Sequence, residues 1–311
     1  MENVKQISTR ESFGQALAEL EDERIVVLDA DLASSTKTNL FREKHPDRFI
    51  ENGIAEADMV GTAAGLAACG KIPFAVSFAA FATGRCYDQI RASIAYPKLN
   101  VKICGTHSGV TVGEDGATHQ MIEDISLMRT LPNMTVISPS DDVQTKELVK
   151  QIAEFEGPVY LRLGRIKTPV IYEEDEKFEI GKAKQFGDGA DATVFATGDV
   201  VVEALKAQKL LKNEGIDVRV VDMFTIKPVD EEIIVKSAQE TKILMSIEDH
   251  NIIGGLGSAI TEVLCDECPT KLIRLGIKDK FGKSGKPEAL LKYYNIDSRA
   301  IVEKVLKEIS D

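Results

Sequence analysis

Runs rich in Val and Ile alternate with segments of helical spacing along almost the whole 311-residue chain. Parallel strands leave this pattern when helices cover both faces of their sheet. Phe13, Ala16, Leu17 and Leu20 recur at helical intervals, and residues 24–28 then form a compact apolar run that ends in a polar turn, 29–36. The same alternation predicts strands at 74–77, 101–105, 135–138 and 159–163, with helices at 57–68, 87–94 and 143–155. The acidic stretch EEDEKFE, 173–179, breaks the rhythm and marks a boundary. A second series follows: the strand ATVFATG, a helix through Lys212, a strand at 217–221, a helix at 230–240, a strand at 242–247, a helix after Gly254 and a C-terminal helix near 298–309. The expected fold is α/β with two domains, 1–172 and 191–311, each a mainly parallel sheet flanked by helices, joined by a linker at 173–190.

Composition narrows the function classes. With 43% hydrophobic and 28% charged residues, the chain is neither disordered nor collagen-like nor a coiled coil. A net charge of −12 without a basic cluster argues against nucleic acid or an anionic membrane as partner. The start, MENVKQISTRES, has no apolar core behind basic residues, and the most apolar stretch, 72–82, is too short to span a bilayer, so the expected location is the cytoplasm. Of the five cysteines only Cys265 and Cys268 are close, and without a second pair or a neighbouring His they read as reduced thiols at a helix end rather than a zinc site.

In doubly wound sheets, ligands sit beyond the carboxyl ends of strands. The polar residues at those ends are concentrated: Asp31, Ser34, Ser35 and Thr36 after the first strand, Phe78 and Phe81 after the second, the loop THSGVTVGEDGATHQ (106–120) after the third, and Arg165 after the last. Long strand-end loops are often functional. His107 and His119 could serve as an acid/base pair, as donors to sugar hydroxyls or as anion ligands, and Glu114 and Asp115 could accept from hydroxyls; a solvated surface loop is the plain alternative. Glu56 opens a helix of small apolar residues. Burial there would keep a proton on the carboxyl, useful for bonding a ring nitrogen, but a glutamate favoured by the helix dipole is the simpler reading of the residues alone. Phe78 and Phe81 could present two rings to a flat ligand or simply be core. Arg10 and Arg165 are candidate phosphate contacts. Two motifs read as packing features: Gly187-Asp188-Gly189 precedes a strand and is a turn signal, and GGLGS (254–258) after His250 does not complete a dinucleotide fingerprint.

NGIAEADMVGTAAGLA, VSFAAF, THSGVTVGEDGATHQ and PVYLRLGR, in this order, resemble the pyrimidine-binding domain of transketolase, and IEDHNIIGGLGSAI with IKDKFGKSGKPEALLKYY resembles the transketolase C-terminal domain. The resemblance covers essentially the full chain, and the GEDGATHQ loop is its most specific part. The diphosphate-binding domain that family members carry first has no counterpart, so the chain looks like the C-terminal subunit of a split transketolase. The resemblance implies thiamine diphosphate as cofactor, with Mg2+ and its ligands brought by an N-terminal partner chain, no metal ligand in this one, and self-association through both domains. It implies reversible transfer of a two-carbon ketol unit between sugar phosphates. Glu56 matches the glutamate that bonds the aminopyrimidine and promotes its imino tautomer, which reverses the simpler reading above. Phe78 and Phe81 match aromatics packing on that ring, while a third aromatic of the pattern is Gly84 here. Asp31 matches an acid near the cofactor, Asp115 one that reads a substrate hydroxyl, and His119 a histidine near the reacting oxygens; Arg10, Ser35, His107 and Arg165 match the sugar-phosphate grip. Family members often carry His where this chain has Ala57. The β chain of a 2-oxo acid dehydrogenase shares fold and length, but the GEDGATHQ loop argues against it; a non-catalytic assembly subunit is a third reading, against which both loop histidines with Glu56 argue. Deoxyxylulose-phosphate synthase resembles the chain in architecture, but His107 together with GEDGATHQ favours transketolase.

Overall fold

The computed structural model describes residues 5–310. Strands β1 (Ile25–Asp29), β2 (Phe49–Glu51), β3 (Ile72–Phe78), β4 (Lys102–Thr106), β5 (Thr135–Ile137) and β6 (Val159–Arg162) run parallel in the order β5-β6-β4-β3-β1-β2. Every residue of β1 and β3 is buried, which is why they read as unbroken apolar runs. Their alternate side chains serve opposite faces. Ile25, Val27 and Phe74 pack against α1 (Thr9–Ala18) and α3 (Asp142–Glu154), and Val26, Leu28 and Ala75 against α2 (Glu56–Ala68). Helix α3 starts where it does because the Asp141 carboxylate accepts the Gln144 amide at 2.9 Å.

The second half supplies β7 (Lys184–Phe186), β8 (Ala192–Ala196), β9 (Val218–Asp222), β10 (Thr225–Lys227), β11 (Ile243–Asn251) and β12 (Leu272–Ile277). Its sheet has the order β12-β11-β8-β9-β7, parallel except for the edge strand β7. Helices α4 (Val201–Asn213) and α7 (Ser298–Ser310) cover one face, α5 (Glu231–Glu240) and α6 (Leu256–Glu267) the other. The expected α/β class with two mainly parallel sheets is what the chain adopts. No helix among the described residues is long and apolar enough to cross a membrane.

Local details depart from the sequence pattern. The segment expected as one helix at 87–94 is a short helical turn, Tyr87–Gln89, between two wide π-type turns, Ala80–Arg85 and Ile90–Ala95. Strands β2, β7, β10 and β12 were not foreseen, and β10 crosses over to pair antiparallel with β5 at the edge of the first sheet. Gly187-Asp188-Gly189 forms the turn between β7 and β8, with Gly187 at φ +74°. The amides of Leu256 and Gly257 at the start of α6 are satisfied by Glu248, at 2.7 and 3.0 Å, so the chain's own acid fills that helix end. All five cysteines are free; Cys265 lies in the last turn of α6 and Cys268 just past it.

The two halves are joined by buried polar contacts. Asp249 of β11 accepts the Val110 amide at 2.8 Å, the Thr111 amide at 3.1 Å and the Thr111 hydroxyl at 2.7 Å. Asp222 at the end of β9 accepts from Ser140, Gln144 and Tyr172 through one oxygen, at 2.7, 3.0 and 2.8 Å. Burial pushes the Asp222 carboxyl up to about 7 against those bonds. Gly109, at φ +74°, lies so close to Asp249 that a Cβ there would stand 2.1 Å from its Oδ2. Gly109→Ala should therefore cost about 2–4 kcal/mol, from the left-handed backbone and the clash together. Urea unfolding measures this, and an unchanged midpoint would mean that Asp249 does not hold the loop.

Candidate functional site

The carboxyl ends of β1, β3, β4 and β6 open on one edge of the first sheet. His107 follows β4 directly and is held at φ +57°, a conformation uncommon for a residue with a side chain. Its ring stacks on Phe78 at 3.8 Å between centroids. Arg10, in the first turn of α1, donates from Nη1 to the Ser35 carbonyl at 2.7 Å and lies 3.1 Å from His107 Nε2. Because the guanidinium only donates, Nε2 is the accepting nitrogen and the proton sits on Nδ1, 2.9 Å from the Thr106 hydroxyl. Burial first, then Arg10 and Arg165, pushes His107 down to about 3, so the ring is neutral at physiological pH.

The contacts continue from Phe78 to Phe81, whose rings stack at 5.8 Å, and from Phe81 edge-on to His119 at 5.4 Å. On the face of Phe81 lies Arg85, its Cζ 4.0 Å from the ring centre. Arg85 Nη1 donates to both oxygens of Glu56, at 2.9 and 3.1 Å. Glu56 opens α2 and is only 4% exposed. An unbroken run of contacts thus leads from Glu56 through Arg85, Phe81, Phe78 and His107 to Arg10 and Ser35. Arg165 donates to the Val112 carbonyl and lies 3.3 Å from Asp115. Asp115 is exposed, and His119 is half-buried with Nδ1 2.9 Å from the Thr118 hydroxyl. Asp31, at φ +61°, lies at the same edge, but its exposed side chain has no hydrogen-bond or ion-pair partner among the described residues; only its amide is held, by Glu51 at 2.8 Å.

The 106–120 loop is more ordered than its composition suggests. Val110–Val112 forms a 3-10 turn, and Gln120 Nε2 donates to the carbonyls of Val110, Gly113 and Lys283 at 3.0, 3.1 and 2.8 Å. Arg85, Gln120 and Asp249 escaped the sequence reading. Arg85 alone had a local signal, a cation four residues beyond Phe81 in a helical segment, where the two side chains meet. No group of three or more His, Cys, Asp or Glu among the described residues could hold a metal ion. A buried carboxyl beside paired phenylalanines fits a flat heterocycle with a ring nitrogen, and two arginines next to it fit an anionic substituent on a neighbouring ligand.

Fold and site together define a two-domain α/β protein whose candidate site residues line one sheet edge under a loop clamped by the second domain. Residues 5–170 match the family model of the transketolase pyrimidine binding domain, and residues 181–301 that of the transketolase C-terminal domain. A protein of Methanocaldococcus jannaschii whose name assigns it to a transketolase C-terminal section is 52% identical, with 96% of each chain covered. A solved structure described as a split gene transketolase, inactive beta4 tetramer, is 50% identical with a TM-score of 0.90, over 97% of this chain and 98% of that one. Human transketolase is 41% identical over 96% of this chain but only 48% of its own length, so the chain spans about half of that relative. The chain belongs to the transketolase family.

The neutrality of His107 is directly measurable. With a folded value near 3 against about 6.5 when unfolded, the native ring binds fewer protons than the unfolded one between those values. Its contribution to stability is full above about pH 6.5 and is lost as pH falls toward 3. Ring-carbon NMR should show no titration of His107 above about pH 5. Stability measured from pH 7 to pH 5 should fall less in His107→Gln than in the parent.

Proposed function

We propose that this chain is the C-terminal, pyrimidine-binding subunit of a heteromeric transketolase, dividing into its two domains across 173–190. An N-terminal partner subunit would supply the diphosphate site and the Mg2+ ligands, and both domains would self-associate in a cytoplasmic assembly. The reaction would be reversible transfer of a two-carbon ketol unit from a ketose phosphate to an aldose phosphate, as in the pentose phosphate pathway. Thiamine diphosphate, when bound, supplies the nucleophilic carbon and the electron sink for that transfer. The observation that carries this reading is the run from a nearly inaccessible carboxyl, Glu56, across Phe81 and Phe78 to Arg10 and His107.

Each residue has a physical task in this reading. Glu56 holds the ring nitrogen and shifts its proton. Phe78 and Phe81 pack against the ring, and Asp31 lies at the rim where the cofactor would meet the chain. Asp115 accepts from a substrate hydroxyl, and His119 moves a proton at the reacting oxygens. Arg10 and Arg165 carry the charge that meets the sugar phosphate, with Ser35 and His107 beside them. Because His107 is neutral and accepts from Arg10, its part in the grip is to aim that guanidinium until an anion arrives.

The chain assayed alone with thiamine diphosphate and magnesium should be inactive and should gain activity with its partner; full activity alone would sink the split-subunit reading. In the reconstituted pair, Glu56→Gln should lower kcat about 10²–10³-fold with an unchanged melting profile. Arg165→Ala should act mainly on KM, raising it about 10–100-fold for phosphorylated substrates and little for unphosphorylated ones. Equal losses in both parameters for both variants would undo the assignment of roles.

A further inference from the structure

Arg85 closes the wide turn Ala80–Arg85 that follows β3. It makes two contacts at once: its guanidinium lies over the Phe81 face with Cζ 4.0 Å from the ring centre, and Nη1 donates to both Glu56 oxygens. The two partners differ in their access to water. The Glu56 side chain is 5% exposed and that of Arg85 is 52% exposed. The carboxyl is therefore fixed inside, while the cation is a long side chain with one end in solvent.

An aminopyrimidine seated by Glu56 and Phe81 would need the same pair of contacts, a planar face against the phenyl ring and a nitrogen against the carboxyl. A guanidinium is the protein group that comes closest to supplying both, being flat, delocalised and edged with N–H donors. Glu56 has too little exposed surface to receive a second flat group while Arg85 holds both of its oxygens. Resting on the functional reading above, we propose that Arg85 is a built-in stand-in for the pyrimidine: it fills the ring's seat in the chain without cofactor and swings into solvent when the cofactor docks.

The surroundings permit such a movement. The preceding residue is Gly84, where a Cβ would meet nothing within 4 Å, and the Arg85 side chain is itself half exposed. The stand-in also has a physical purpose. A buried carboxylate without a partner is costly, and Arg85 relieves that cost until a ligand nitrogen takes over. Cofactor binding then exchanges one partner of Glu56 for another. The apparent affinity is reduced by the fraction of molecules in which the seat is free.

The test is calorimetric titration of thiamine diphosphate, with magnesium present, into the complex of this chain and its N-terminal partner. Arg85→Ala should bind more tightly than the parent, about tenfold if the stand-in occupies the seat in nine of ten molecules. Arg85→Met, which keeps the length and apolar contact without N–H donors, should shift affinity in the same direction and serves if the alanine variant assembles poorly. Equal or weaker binding by both variants would overturn the proposal and make Arg85 a permanent clamp on Glu56. A parent complex that binds no thiamine diphosphate would overturn the functional reading itself, and this inference with it.

Discussion

The loop over the candidate site depends on one buried carboxylate, Asp249. It sits near the end of β11, next to the edge strand β12 of the second sheet, almost fully withdrawn from water, and it spends both oxygens on the first domain: the amides of Val110 and Thr111 and the Thr111 hydroxyl. Burial raises the carboxyl's proton affinity, while Arg162 and those three donors oppose the rise. Arg162 is itself buried, bonded to Asp124 at 2.7 Å and to the Asp249 carbonyl at 2.8 Å, and Tyr160 donates to the same Asp124 oxygen at 2.6 Å. Removing one member of such a network is costly, because its partner would be left as a buried unpaired polar group. The contacts that seat the second domain against the first are thus also those that hold the 106–120 loop.

The close approaches around the loop tell the same story. Gly109 leaves no room beside Asp249, a Cβ on Gly116 would stand 2.5 Å from the Ser284 hydroxyl, and one on Gly282 would stand 1.7 Å from Gln120. Glycine is required at these points because the backbone of one domain touches the side chains of the other. The C-terminal domain is therefore part of the site through the loop it holds, even though His107, Phe78 and Glu56 all belong to the first domain.

The fold class was legible because strands buried on both faces leave continuous apolar runs, and β1 and β3 are of that kind. Strand β2 is short and only partly buried, so its pattern does not stand out from a loop. Strand β10 was invisible for a different reason: pairing with β5, about ninety residues earlier in the chain, has no local signature. The candidate residues were findable because the strand-end rule points to where function collects rather than to what it is. The rule located His107 but not its charge state. That His107 is neutral follows from its burial between two arginines, and that Glu56 is paired follows from the position of Arg85; both are facts of three-dimensional proximity.

Those pairings decide how a chain of net charge −12 could attract an anion at all. Four arginines in and around this edge fall into two groups. Arg162 and Arg85 face carboxylates, Asp124 and Glu56, at 2.7 and 2.9 Å, and their charge is cancelled where it stands. Arg10 is bound instead to a backbone carbonyl and a neutral imidazole, and Arg165 to the Val112 carbonyl with a longer, exposed contact to Asp115. Carbonyls and imidazole orient a guanidinium without neutralising it. The proton affinity of Arg10 is lowered, by burial first and then by the field of Arg165, as expected of two cations held near each other. A phosphate entering there would relieve that repulsion, gain charge-assisted bonds from groups already aimed, and favour protonation of His107. The local field at this edge is thus set by what the arginines are denied as partners, and the overall negative charge of the chain matters little within the few ångströms where binding is decided.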